Sequence, residues 1–265
     1  MATSNLQSVL LWTDTACAGR DGQVIDRMGP RVRVVGVGGP RTAEVDALAR
    51  RFGCVHDDDL RKLLVERPAD GMMLGTAVPD VAAAVADIAA AVANGMMVVA
   101  LEPAADNFTD LNVIRPAIAT AEQAGRVIAA AAFERSRGWT SAADPLEVIG
   151  TPQLISFTSF GHVGNCSLLA RLLDAWRFIL SLTDLPLGID ASLSGPLTAV
   201  PQTLRGLTGH IAAHARLPDG GSVVLQVSDR AGEHDRRLML VGKGGILRVE
   251  DTNYILRDAT GGLMD

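Results

Sequence analysis

The sequence predicts an α/β protein with a doubly wound parallel sheet in its first half, followed by an α+β unit on a mainly antiparallel sheet. Three observations carry this. Between Ser8 and Leu101, short apolar runs alternate with helical segments, the rhythm of a parallel sheet covered by helices on both faces. Beyond Thr120 the pattern changes to runs of period two separated by turn sequences, which is how antiparallel strands read. Alanine and glycine are abundant while aromatic residues make up 4%, so helices should pack closely against a sheet.

Ser8–Trp12 (SVLLW) is a short apolar run suited to a buried parallel strand, and Ala16–Met28 a short helix weakened by Gly19 and Gly22. Arg31–Val37 is the second strand. Thr42–Phe52 is an amphipathic helix with Thr42 as N-cap and Gly53 as its stop. Asp59–Glu66 is a short helix with Leu60, Leu63 and Leu64 on one face, and His56-Asp57-Asp58-Asp59 reads as its solvated acidic start. Gly71–Leu74 is a third strand, Asp80–Ala93 a helix ended by Asn94-Gly95, and Met97–Leu101 a fourth strand closed by Glu102-Pro103. Ala121–Gly125 opens like a helix and leads into the apolar run Val127–Phe133. Pro145–Ile149 is a short helix, Gln153–Phe160 alternates with period two, and Ser167–Ser181 is strongly amphipathic. Strands follow at His210–Leu217, Ser222–Ser228, Arg237–Val241 and Ile246–Glu250, with turns at Pro218–Gly221 and Gly242–Gly245. The domain boundary falls between residues 120 and 135, giving units 1–125 and 126–265.

A chain of 265 residues buries a core without staples. Its net charge of −6 argues against nucleic acid, which requires a clustered basic face. The densest basic run, Arg135 to Arg137, is broken by Ser136. Cys17, Cys54 and Cys166 are odd in number and far apart, a pattern of buried free thiols in a reducing cytosol. Met1–Gln7 lacks a signal-peptide pattern, and Val81–Ala93 is too short to span a bilayer, so the expected location is cytoplasmic, without a membrane partner.

An ordered series of segments resembles the glucose–fructose oxidoreductase / inositol dehydrogenase (Gfo/Idh/MocA) family. These are Ala49-Arg50-Arg51-Phe52-Gly53; Leu63-Leu64 with Asp70 and the strand after it; and Asn94-Gly95-Met96-Met97-Val98-Val99-Ala100-Leu101-Glu102-Pro103. Gly150-Thr151-Pro152-Gln153-Leu154-Ile155, the hairpin Pro218-Asp219-Gly220-Gly221 and the run Gly242-Lys243-Gly244-Gly245-Ile246-Leu247 continue it. The resemblance implies a Rossmann-like dinucleotide domain and a substrate or dimerisation domain, with NAD or NADP as cofactor of an active member. It also implies a dimer surface on the open face of the second sheet; the alternation in Ser222–Ser228 is compatible with burial on at least one face.

The positions that carry chemistry depart from the family. The first turn reads Thr13-Asp14-Thr15-Ala16-Cys17-Ala18, with no glycine at the three positions that let backbone approach a pyrophosphate. Asp14 adds a negative charge there. Thr13, Thr15, Gly39 and Arg41 are the matching cofactor-side positions, Gly39 standing where an acid would hold the ribose. Arg41 is either a receptor for a 2′-phosphate or an exposed residue at a helix start. Glu102 replaces the lysine of the family's "EKP" motif, as a general base or as a residue kept for turn geometry. Aligned on Asp174, Arg171 stands at the proton-transferring histidine. Arginine stays protonated, so an i,i+3 pair with Asp174 is the structural alternative, and binding of an anionic ligand the functional one.

His210 and His214 share a face, but metal binding would need further ligands, and no metal is expected. His162 reads as a polar loop residue. These substitutions predict a degenerate member without ordinary NAD(P)-dependent hydride transfer and without cofactor. It would act as a homodimer, as a partner of another oxidoreductase subunit, or as a module for a small polyol or anionic ligand. The competing expectation is an active oxidoreductase on a sugar, cyclitol or related polyol.

Overall fold

The structure is a computed structural model that describes residues 7–78, 80–105, 125–129, 132–162, 164–196, 201 and 203–264. The chain forms two compact units, Met1–Ala130 and Ala131–Asp265.

The first unit contains strands β1 (Gln7–Trp12), β2 (Val32–Gly38), β3 (Val55–Asp57), β4 (Gly71–Leu74), β5 (Met97–Ala100) and β6 (Val127–Ala129). They form one sheet in the order β3-β2-β1-β4-β5-β6, and every pairing is parallel. The chain therefore reverses direction across the sheet between β1 and β4, the switch point at which open α/β sheets bind ligands. Helices α1 (Ala18–Met28), α2 (Ala43–Phe52), α3 (Leu60–Glu66) and α4 (Val81–Ala93) accompany the strands. Leu10, Trp12, Met72 and Leu74 belong to one core, whereas Leu11 and Met73 belong to a second with Ile25, Val37 and Val45. Alternate residues of β1 and β4 thus enter opposite cores, which is why these strands read as unbroken apolar runs.

Thr42 caps α2 by accepting the Val45 N–H, and Gly53 ends it in the left-handed region at φ +62°. The start of the first helix and the acidic stretch after Val55 differ from the sequence reading. The first helix starts at Ala18 because Asp14 to Cys17 form a hydrogen-bonded turn. The acidic stretch holds a strand as well as a helix start: Val55–Asp57 pairs with β2, and Asp59 caps α3 by accepting the Lys62 N–H at 3.0 Å. Of the helix-like segment at Ala121–Gly125, residues 121–124 lie outside the described residues.

The second unit holds β7 (Leu154–His162), β8 (Gly188–Ser194), β9 (His210–Arg216), β10 (Ser222–Ser228), β11 (Arg230–Gly242), β12 (Gly245–Glu250) and β13 (Tyr254–Asp258). Their order is β13-β12-β11-β7-β10-β9-β8. Five pairings are antiparallel, and β7 with β10 is parallel. β11 begins seven residues before the strand read at Arg237–Val241. Among the described residues three helices, α5 (Arg137–Thr140), α6 (Ala143–Ile149) and α7 (Leu168–Leu182), are present rather than the two read from the sequence. Val223, Leu225 and Val227 of β10 are fully buried with Phe157, Phe178 and Ile179. One face of the alternation in Ser222–Ser228 therefore serves the unit's own core. Phe133 anchors this core, meeting Phe157 and Phe178 edge-on with ring centres 5.0 Å apart in each case.

All three cysteines are free thiols. Cys17 is buried, but Cys54 and Cys166 are half-buried, so burial was over-read for two of them. Among the described residues no helix is long and apolar enough to cross a membrane.

Candidate functional site

The carboxyl ends of β1, β4 and β5 converge on a polar cluster. Thr13, the residue after β1, is fully buried. Its hydroxyl donates to Asp21 Oδ2 at 2.5 Å, so it faces α1 and not solvent. Asp14 Oδ1 accepts the Cys17 N–H at 2.9 Å, and Asp14 Oδ2 accepts the Thr76 hydroxyl at 2.6 Å. An amide at the entrance to α1, where a helix offers N–H groups to an anion, thus faces a carboxylate of the chain itself.

Arg20 is the hub of the cluster. Its Nε donates to Asp21 Oδ1 at 2.8 Å, Nη1 to Glu102 Oε1 at 2.6 Å and Nη2 to the Gly75 carbonyl at 2.6 Å. Asp21 is fully buried and Glu102 nearly so. Burial works against the charge on Arg20, but Asp21, Cys17 and Glu102 outweigh it and hold its pKa above the ordinary arginine value. Burial pushes the Asp21 carboxyl upward, opposed by Arg20 and by the Thr13 hydroxyl. Gly75 makes room for this packing: a Cβ there would lie 1.7 Å from Asp21 Oδ2. Glu102 is therefore neither a free base nor a mere turn residue; it anchors an ion pair that links α1 to the end of β5.

The second turn is equally self-contained. Gly39 has φ +138°, and a Cβ would fall 1.9 Å from the Thr13 carbonyl oxygen, so only glycine fits. Its own carbonyl lies 3.0 Å from His56 Nε2, while His56 Nδ1 lies 2.6 Å from Asp46 Oδ1. His56 ties β3 to α2 and to the turn, in contrast to its solvated reading. Thr15 is exposed, and its hydroxyl donates to Thr42 Oγ1 at 3.0 Å. Arg41 is exposed and lies 3.9 Å from Asp58, a surface pair of little energetic weight.

In the second unit the expected Arg171–Asp174 pair does not form. Arg171 is buried, and it donates to the Phe160 carbonyl at 3.2 Å and the His162 carbonyl at 3.5 Å. Its guanidinium lies over Gly161, where a Cβ would come within 2.3 Å. Asp174 accepts the Phe133 N–H at 3.2 Å and pairs with Arg236 at 3.4 Å. Burial raises its pKa, against the pull of Arg236. Both partners lie far from Asp174 in sequence, which is why the local i,i+3 reading failed. The Arg171 Nε and Asp229 Oδ2 are buried without hydrogen-bond partners. Asp229, otherwise held by the Gly209 N–H at 2.8 Å, follows Ser228, which pairs with Phe160 across the β7–β10 ladder.

His210 and His214 both lie exposed on β9, and among the described residues no group of three or more metal-ligating side chains is assembled. Exposed His162 accepts the Gly164 N–H at 3.0 Å through Nδ1. Arg20, Asp21, Gly75, Thr76 and Asp229 were not singled out in the sequence. The available signal was Glu102 itself, since a carboxylate at a buried strand end demands a cation.

A parallel sheet in the order β3-β2-β1-β4-β5-β6 followed by an α+β unit is the oxidoreductase fold of the Gfo/Idh/MocA-type, NAD-dependent dehydrogenases. The WlbA dehydrogenase from Chromobacterium violaceum, solved with NADH and UDP-GlcNAcA, is 14% identical with a TM-score of 0.66, over 95% of this chain and 76% of that one. UDP-N-acetylglucosamine 3-dehydrogenase GnnA from Acidithiobacillus ferrooxidans is 15% identical with a TM-score of 0.64, over 98% of this chain and 82% of that one. Biliverdin reductase from Synechocystis sp. PCC 6803, solved with biliverdin and NADP+, is 16% identical with a TM-score of 0.63, over 98% and 85%. No protein-family model matches the chain, and no curated protein matches it in sequence. One fold thus serves sugar-nucleotide and tetrapyrrole chemistry, and function must be argued from the residues of the site.

Proposed function

We propose that this chain is a degenerate Gfo/Idh/MocA-type protein that lacks ordinary NAD(P)-dependent hydride transfer and acts as a partner or ligand-binding subunit. The observation that carries this reading is the polar cluster at the switch point. A dinucleotide needs the amides after β1 and close backbone approach. Here Asp14 accepts the Cys17 amide, Thr13 is turned into the protein, and Asp21 fills the space above Gly75. The residues present do not fit a pyrophosphate, and every anionic oxygen brought there would meet Asp14.

The proton-transfer positions support the same reading. Glu102 is neutralised by Arg20, and Arg171 is a permanent cation spent on two backbone carbonyls. A subunit of this kind would contribute surface or a ligand pocket to a homodimer or to an assembly with a catalytically competent oxidoreductase.

The test is the thermal midpoint with NAD, NADH, NADP and NADPH added separately at millimolar concentration. A cofactor at one hundred times its dissociation constant stabilises by about 2.7 kcal/mol and raises the midpoint by a few degrees. The expected result is no shift with any of the four. A shift with one would overturn the proposal and direct attention to oxidation of a sugar, cyclitol or related polyol.

A further inference from the structure

The two edges of the seven-stranded sheet are treated differently. The outer edge of β13 is engaged by the chain's own end: Leu263 bridges to Arg257, and the Met264 N–H donates to the Leu256 carbonyl at 2.9 Å. At the opposite edge β8 pairs with β9 along its whole length, and among the described residues no strand lies on its other side. Ile189 through Ser194 are all exposed. An open edge presents unpaired N–H and C=O groups, and proteins guard such edges with lysine, proline or bulges. β8, with the sequence GIDASLS, carries one charge, Asp190, but no lysine or proline, and its pairing with β9 runs without a bulge. The approach to it is apolar as well, with Leu185 and Leu187 each about three-quarters exposed.

We propose that β8 is a self-association edge, on which two copies of the chain pair antiparallel about a two-fold axis through Ala191. The sequence of the strand selects this occupant and this register. A two-fold perpendicular to the sheet keeps each residue on its own face, so only registers with even spacing are allowed. Centring on Ala191 pairs the strand end to end, because Gly188 meets Ser194, Ile189 meets Leu193 and Asp190 meets Ser192. The two exposed apolar side chains then cover each other twice across the axis. Asp190 is the sole charged residue of the strand and faces a serine. Of the two neighbouring registers, the one centred on Asp190 would set that carboxylate against its own copy, which is unfavourable, and the one centred on Ser192 would set Ile189 against Gly195 and Leu193 against Ala191, so the two large apolar side chains would not meet. The result is an isologous contact that closes on itself and joins two sheets of seven strands into one of fourteen. This contact uses the sheet's edge, is separate from its open face, and does not depend on whether a cofactor binds.

The test is light scattering on the full chain together with cysteine cross-linking. The expected result is a dimer at tens of micromolar concentration, with Ala191→Cys giving a covalent dimer under mild oxidation. Directly opposed residues in an antiparallel pair have Cα atoms about 4.5–5.5 Å apart, within disulfide range. Ser194→Cys faces Gly188 of the other copy and should cross-link no more than the unmodified chain. Ile189→Glu/Leu193→Glu should weaken the dimer at least about tenfold, and Ile189→Lys/Leu193→Glu, which restores opposite charges across the axis, should recover much of it. A monomeric chain, or a dimer in which Ala191→Cys links no better than Ser194→Cys, would overturn the proposal.

Discussion

Arg20, half-buried, and Arg171, buried, are both arginines on helices. Arg20 meets Glu102 beyond the end of β5; Arg171 meets the carboxyl end of β7. Their surroundings differ sharply. Arg20 is enclosed by Asp21, Glu102 and a carbonyl, and each of its three nitrogens donates. Arg171 faces two carbonyls, its Nε has no partner, and among the described residues no carboxylate lies within ion-pair distance. The charge of Glu102 is compensated by a cation from another element. The charge of Arg171 is met by backbone dipoles and left uncompensated at contact distance. The first arrangement braces the sheet; the second leaves donor capacity unused.

The sharpest way to break this contrast is Arg20→Leu. It strands Asp21 and Glu102 in the protein without their cation, so a loss of about 3–5 kcal/mol is expected in urea denaturation. The loss should shrink as pH falls. A buried carboxyl whose pKa is raised contributes stability below its unfolded-state value that disappears as pH rises, so protonation relieves the variant. A pH-independent loss would show that Arg20 acts by packing alone.

A smaller effect is expected at the ion-pair cluster of the second unit. Asp251 accepts from His234 Nε2 at 2.8 Å and from Arg236 Nε at 2.9 Å. Burial opposes its ionisation, but these two bonds bring its pKa below the ordinary aspartate value. The stability it contributes is complete above the unfolded-state pKa of about 3.9 and is lost as pH falls through the lower folded value. Asp251→Asn should cost about 1–2 kcal/mol near pH 7, and its stability should fall less steeply than that of the unmodified chain below about pH 4. Parallel pH curves would sink this assignment.

Sequence patterning exposed most of the scaffold. β1, β4 and β5 were legible as short apolar runs, β2 as a valine-rich run despite its exposed Arg33, and α2 because Thr42 and Gly53 mark its ends. β3 was hidden because Val55–Asp57 is three residues long and leads into a run of aspartates. β8 was hidden because an exposed edge strand has no buried face to impose alternation. The parallel pairing of β7 with β10 could not be read from a hairpin turn, since it depends on where the α7 crossover returns the chain. At the candidate site the departures from the family were legible one by one. Their joining was not: Arg20 and Glu102 are 82 residues apart, and nothing local in either segment names the other.

The least disruptive substitution tests the other half of the comparison. Arg171→Leu removes two hydrogen bonds, one of them long, together with a buried charge and an unsatisfied Nε–H. Replacing a poorly compensated buried ion with an apolar side chain is often neutral, so a change of about 1 kcal/mol or less is expected in urea denaturation. The alternative outcome has a specific physical meaning. Asp229 is buried at the end of β10, with an oxygen that accepts no hydrogen bond, one residue beyond the Ser228–Phe160 pair of the β7–β10 ladder. If Arg171 is its counter-charge through the low-dielectric interior, Arg171→Leu will cost as much as Arg20→Leu, and a further Asp229→Asn change will recover much of the loss. A small loss for Arg171→Leu alone, with no gain from adding Asp229→Asn, would leave the contrast between the two arginines intact.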